Sequence, residues 1–232
     1  MSGQLKTCAI LPLKPFGDAK ERLATGLDSG QRKMIAEAMA RDVVAALARC
    51  RQLDGVVVIS AEPKAPELAE GVADAVLPDT RTGHSAAALL GVEWALEKGF
   101  ERVVMVPGDC PLLDPDELDT LLENCARQRL DFVVVPDRMG SGTNALVIRP
   151  PDALAPSFGP GSRERHLALG LAAGLRTAAI ELPTLALDLD TAEDLMELAE
   201  RLAGGDHDAV NTEQAIATLL TDRRRLPGGY AR

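Results

Sequence analysis

Short runs of consecutive apolar residues alternate along this chain with longer segments in which apolar residues return every three or four positions. The first run, TCAILPL at residues 7–13, predicts a buried strand. SGQRKMIAEAMARDVVAALARC, residues 29–50, predicts a helix: Met34, Ala38, Val43 and Leu47 recur at helical spacing, and Ser29 is a plausible N-cap. GVVVIS (55–60) predicts a second strand, PELAEGV (66–72) a short helix and AVLP (75–78) a third strand. SAAALLGVEWALEKG (85–99) predicts a helix stopped by Gly99. RVVMVP (102–107) predicts a strand. The helix predicted next, at 114–128, carries acids in its first turn, as the macrodipole favours.

The second half continues the alternation. Strands are predicted at 131–137 and 144–150, a helix at 163–174, strands at 177–182 and 186–190, and a helix at 191–203. Beyond it the chain predicts one more amphipathic helix and a tail, with Arg223, Arg224 and Arg225 as a solvated helix end. This β/α order implies an α/β fold with a mostly parallel sheet and helices on both faces. Residues 1–204 form the expected domain. Residues 205–232 are a helix and tail belonging to it or loosely attached.

Composition narrows the function classes. The 232 residues carry 25 Lys and Arg against 35 Asp and Glu, a formal net charge of −10. Such a chain is not expected to bind nucleic acid through a general basic surface, although a local pocket can still be positive. No apolar run reaches the roughly 18 residues that span a bilayer, and the start lacks a signal-peptide core, so a cytoplasmic protein without a membrane partner is expected. Cys8, Cys50, Cys110 and Cys125 are scattered with no C-x-x-C pair, which reads as reduced thiols rather than a zinc site.

In open α/β sheets, ligands sit beyond the carboxyl ends of the strands. After the first strand, PLKPFGDAKERLA places Lys14, Lys20 and Arg22 within nine residues. This reads either as an anion cradle or as a solvated helix face. Neither G-x-x-x-x-G-K-[ST] nor G-x-G-x-x-G occurs, which argues against a P-loop NTPase and a dinucleotide-binding domain. In VVMVPGDCP, Pro107 and Gly108 end the fourth strand and Pro111 stiffens its exit, so Asp109 stands at the rim of the sheet. It reads as a ligand for a hard divalent cation or as a helix cap, for which Asp114 is the better candidate.

In LALDLDTAEDL, Asp188 and Asp190 lie two apart and share a face if extended. Asp190 followed by Glu193 resembles a capping box, which leaves Asp188 as metal ligand, though either could serve. GSGTNAL and FGPGSRERH are rich in glycine and offer Thr143 and Ser162 as hydroxyl donors, which suggests a pocket for an anionic substrate. Gly83 and Ser85, in RTGHSAAALLG, could contact a base or ribose. His166 is more often a packed or hydrogen-bonded helix residue than a general base.

Taken in order, PLKPFGDAKERLA, VPGDCPLL, PDRMGSGTNALVIRPP, FGPGSRERHLALG and LDLDTAEDL resemble the CofC/FbiD guanylyltransferases of deazaflavin coenzyme F(420) biosynthesis, over about residues 8–200. The resemblance implies a three-layer, Rossmann-like nucleotidyltransferase fold with a mixed, mainly parallel sheet. It implies transfer of GMP from GTP to the phosphate of a small phospho-carboxylic acid, with release of diphosphate and delivery of the product to the next transferase of the pathway. Phosphoenolpyruvate is favoured, with 2-phospho-L-lactate and 3-phospho-D-glycerate as alternatives. Thr143, Gly159 and Ser162 match the family's acceptor-binding positions. Asp109 matches its metal-binding acid, with the second metal acid in LDLD, for one or two magnesium ions. Lys14, Lys20 and Arg22 would offset the charge of the two polyanions, with Lys14, Gly83 and Ser85 on the nucleotide side. The chain reads GHSAA where the family usually reads GLNAA. Two rival readings are a transferase of this fold acting on a pterin or sugar phosphate, and a nucleotide-binding protein without turnover.

Overall fold

The computed structural model describes residues 5–20, 23–24, 26–80 and 83–225, the last four of these as backbone only. Seven strands among them form one sheet: β1 (Thr7–Leu13), β2 (Gly55–Ser60), β3 (Ala75–Pro78), β4 (Arg102–Met105), β5 (Phe132–Pro136), β6 (Thr143–Ile148) and β7 (Thr177–Ala179). Their order is β3-β2-β1-β4-β6-β5-β7. All neighbours run parallel except β6, which pairs antiparallel with both β4 and β5. The unbroken apolar runs of β1 and β2 follow from this placement, because a central parallel strand is covered on both faces.

The helices are α1 (Ser29–Leu47), α2 (Ala65–Leu68), α3 (His84–Glu97), α4 (Pro115–Gln128), α5 (Ser162–Ala172), α6 (Ala192–Ala203) and α7 (Val210–Arg225). Alternate residues of β1 divide them into layers. Ala9, Leu11 and Leu13 face Ala40, Val43 and Leu47 of α1 and Leu118 and Leu122 of α4. Cys8 and Ile10 face Ala88, Val92 and Ala95 of α3, in a cluster joined by Leu167 of α5. A third apolar cluster lies outside this sandwich. Ile35 and Met39 of α1 meet Leu198 and Leu202 of α6 and Ile216 and Leu219 of α7, so the C-terminal helix packs on the domain.

The caps differ from the sequence expectation in two places. The N-cap of α1 is Asp28, in a capping box with Gln31; Ser29 is already helical. At α6 the box is formed by Thr191 and Asp194 in place of Asp190 and Glu193. The N-cap of α4 is Asp114, as expected. Residues 186–190 are not a strand. They run as an extended loop whose apolar members, Leu187 and Leu189, sink into the third cluster. All four cysteines are buried free thiols, and burial raises Cys8 and Cys50 to about 12, which makes them poor nucleophiles. No helix of the described residues is long and apolar enough to cross a membrane.

Candidate active site

The chain leaves β1 for β2 and β3 on one side and returns to β4 on the other, so the sheet has a topological switch point between β1 and β4. A cavity of about 330 Å³ opens there, at the carboxyl ends of both strands. Its floor is made by Pro12 and Leu13 on one side and by Pro107 and Gly108 on the other. Gly108 lies close to Leu13: a Cβ at this position would stand 2.2 Å from Leu13 Cδ2, so a larger residue would have to push the end of that side chain aside.

The β1 exit is shaped by a buried carboxylate. Phe16 N–H donates to Glu62 Oε2 at 2.8 Å, which draws the loop into a short 3-10 turn at Phe16–Asp18. Lys20 follows with φ +61, a left-handed conformation uncommon outside glycine. That conformation turns its ammonium back into the site, where Nζ donates to Asp109 Oδ2 at 2.6 Å and to Asp190 Oδ1 at 3.2 Å. The Lys20 side chain is only 6% exposed. Burial pulls its pKa down, but the two carboxylates more than offset this and hold it above the usual lysine value. Asp109 shows the converse balance: burial raises its carboxyl, and Lys20 overrides burial to leave it low. Both groups are therefore charged at neutral pH. Lys14 lines the same cavity from an exposed position, and Arg22 lies outside the described residues.

The loop at 186–190 brings the other acids. Its backbone is sewn down at several points: Leu189 N–H donates to Asp109 O at 3.3 Å and Arg138 N–H to Ala186 O at 2.8 Å. Asn144 Nδ2, from β6, donates to Leu185 O at 2.7 Å and also reaches Ala186 O and Asp188 Oδ1. With the leucines buried, Asp188 and Asp190 both line the cavity, so alternation survives without a strand. Burial, reinforced by the charge of Asp109, raises the Asp188 carboxyl to about 6; Asn144 opposes part of that rise. Among the described residues no three His, Cys, Asp or Glu side chains converge as a closed metal cage. What exists is a pair of carboxylates gripping one cation, the Lys20 ammonium.

The opposite wall carries hydroxyl and backbone donors. Thr143, at the start of β6, and Gly159, in the loop before α5, line the cavity. Gly159 has φ +114, and nothing lies within 4 Å of where a Cβ would be; the backbone conformation, not space, requires glycine. Arg165 clamps this loop from α5, its guanidinium donating to Ser157 O at 2.7 Å and Pro160 O at 3.0 Å. Ser162 is the first residue of α5, buried and off the cavity surface. Ser85 Oγ accepts from Phe158 N–H at 2.9 Å, so it ties the loop to α3 without lining the cavity. Gly83 is the N-cap of α3, also off the lining, while its neighbour His84 is on it and packs edge-on against Phe158 at 4.6 Å.

The fold thus gathers Lys14, Lys20, Asp109, Thr143, Gly159, Asp188 and Asp190 around one cavity and places Gly83, Ser85 and Ser162 behind it. Sequence reasoning gave no role to Asn144, Arg165, His84 or Phe158. Asn144 and Arg165 lay inside the glycine-rich stretches already singled out, but their partners come from elsewhere in the chain or from backbone carbonyls, which no spacing reveals.

Known proteins resemble this chain in sequence and in fold. The model of the family described as "Guanylyl transferase CofC like" matches residues 7–217. The chain is 44% identical over 217 residues to a phosphoenolpyruvate guanylyltransferase of Conexibacter woesei, covering 93% of this chain and 97% of that one. It is 35% identical over 194 residues to a 2-phospho-L-lactate guanylyltransferase of Methanothermobacter thermautotrophicus, covering 84% of each. Among solved structures, a cytidylyltransferase from Leptospira borgpetersenii superposes with a TM-score of 0.57 at 16% identity, covering 97% of this chain and all of that one. The last likeness supports the α/β nucleotidyltransferase fold.

Proposed function

Because the chain belongs to the CofC-like guanylyl transferase family, we propose that it transfers GMP from GTP to the phosphate of phosphoenolpyruvate, releasing diphosphate, within the coenzyme F(420) pathway. The observation that carries this reading is the Lys20 ammonium held between Asp109 and Asp190, facing a wall of Thr143 and Gly159 across one cavity. Cation-gripping carboxylates on one side and neutral donors on the other suit two polyanions brought together. Phosphoenolpyruvate is preferred to 2-phospho-L-lactate and 3-phospho-D-glycerate on the likeness to bacterial relatives bearing that name.

Magnesium fits the acid pair. It commonly takes one or two carboxylates and completes its shell with water and substrate phosphates, and Asp109 and Asp190 already share one cation. These two, with Asp188 beside them, would hold the ion, which when bound neutralises phosphate charge and polarises the phosphoryl oxygen. The rest falls to the chain's own groups. The attacking phosphate oxygen of the acceptor is an anion at neutral pH, so no side chain has to remove a proton. Lys14 and Lys20 supply positive charge where two anions approach, and Arg22 is assigned the same task. Thr143 and the Gly159 backbone hold the acceptor in line. The product passes to the next transferase of the pathway.

The test is incubation of the full chain with GTP and magnesium and each of the three phospho-acids in turn. Diphosphate is measured, and the guanylylated product is identified by mass spectrometry after trapping with the next pathway enzyme. Diphosphate release that depends on phosphoenolpyruvate supports the reading. Release with another phospho-acid alone would move the acceptor assignment, and no release with any of them would leave a nucleotide binder.

A further inference from the structure

The site contains a buried imidazole to which the proposed reaction gives no role. His166, on α5, is fully enclosed and sits between Phe132 and Phe158, at ring-centre distances of 6.1 and 5.5 Å. Its two nitrogens have partners of different kinds. Ser157 N–H donates to Nε2 at 2.8 Å. A backbone N–H can only donate, so Nε2 presents a lone pair, and the proton of the neutral ring is on Nδ1. Nδ1 lies 3.0 Å from Thr143 Oγ1. Its N–H therefore donates, and the threonine hydroxyl accepts. Among the described residues Thr143 Oγ1 has no other hydrogen-bond partner, and Thr143 lines the cavity.

We infer that His166 is a positioning residue that turns Thr143 into a fixed donor aimed at an anionic oxygen of the acceptor, while its other nitrogen anchors the loop carrying Gly159. This rests on the phospho-acid reading of the site. A free threonine hydroxyl can donate or accept; one that already accepts from an imidazole keeps its hydrogen to offer to the cavity and has one lone pair fewer with which to accept. The wall then suits an accepting oxygen, best of all a charged carboxylate or phosphate oxygen, better than a ligand amide N–H at that point. Burial and the adjacent Arg165 charge lower the His166 pKa to about 4, so the ring is neutral and keeps this arrangement at physiological pH.

Two measurements test it. The first needs no substrate: long-range proton–nitrogen NMR of the full chain, with nitrogen-labelled histidine, at about pH 7. The expected His166 signal pattern is an Nδ1–H tautomer with a bare Nε2. An Nε2–H tautomer or an imidazolium overturns the inference. The second is kinetic. In His166→Gln the longer amide reaches the Nε2 position, keeps an acceptor for Ser157 and leaves Thr143 without its donor. In His166→Asn the shorter amide reaches the Nδ1 position and keeps that donor. His166→Gln should raise KM for the phospho-acid about 10- to 100-fold, the range for a weakened hydrogen bond to an anion, with KM for GTP nearly unchanged. His166→Asn should raise it less. Adding His166→Gln to Thr143→Val should raise it no further, because the two side chains act as one unit. Equal rises in both KM values, or an acceptor KM left at the wild-type value by His166→Gln, overturns the inference. If wild-type chain guanylylates no phospho-acid, the functional reading fails, while the NMR experiment still reads the tautomer on its own.

Discussion

Replacing Asp188 by Asn should make the metal-free protein more stable at neutral pH while lowering its turnover. Burial and the charge of Asp109 raise the Asp188 carboxyl from 3.8 to about 6. A carboxyl that binds its proton more tightly in the folded chain than in the unfolded one costs stability once ionised. Below about pH 3.8 the group is protonated in both states and the cost is absent. It grows as pH rises towards about 6 and stays constant above that value. At ~1.4 kcal/mol per tenfold change in proton affinity, the ceiling is ~3 kcal/mol. The carboxylate borders an open cavity, so solvent screening reduces this to ~1–2 kcal/mol. Asparagine keeps an oxygen for Asn144 and carries no charge, so the substitution should recover most of that amount. For a chain of this length ~1 kcal/mol moves the melting temperature by about 2–4 °C. Asp188→Asn should therefore melt about 2–8 °C above the parent near pH 7.5 in EDTA, with the gap closing towards about pH 4. Scanning calorimetry across that range is the assay. A variant that melts at or below the parent near pH 7.5, or a gap that widens on acidification, would refute the electrostatic argument.

Three other outcomes follow from the same structure. Asp109→Asn should keep the fold and reduce GTP-dependent diphosphate release by about 10²-fold or more, the scale of a lost metal-binding or charge-stabilising group; a near-parental rate would remove Asp109 from the chemistry. His166, neutral in the folded chain down to about pH 4, meets an unfolded chain whose histidine takes up its proton near 6.5. The unfolded state therefore binds more protons between these values, and stability should fall as pH drops through that window; urea titrations should show a shallower fall in His166→Gln, and an unchanged slope would count against a buried neutral ring. Gly91→Ala should destabilise by ~1–3 kcal/mol in denaturant titrations despite alanine's better helix propensity. The added Cβ would lie 2.4 Å from Ile10 Cγ2 in the packed layer between α3 and β1, and a stabilised variant would show that α3 can shift without strain.

The division between what the chain states locally and what the fold supplies is visible at particular residues. Apolar runs and helical spacing fixed the order of strands and helices, and Asp114 announced its helix, because these signals depend on neighbours within a few positions. Local signals also misled where two candidates competed. Asp28 took the α1 cap from Ser29, and Thr191 with Asp194 took the α6 cap from Asp190 with Glu193, although D-x-x-Q and T-x-x-D stood in the sequence beside them. That second exchange matters, since it leaves the Asp190 carboxylate for Lys20. The 186–190 stretch has strand-like alternation but pairs with no strand; its leucines are drawn into the α1–α6–α7 cluster instead. Only the tertiary structure joined Lys20 to Asp109 and Asp190, 89 and 170 positions away, or aimed Asn144 at the 185–188 backbone and His166 at Thr143. Sequence spacing carries no such information, because hydrogen bonds and ion pairs depend on distance in space, and only the folded sheet brings distant segments within hydrogen-bonding reach of one another.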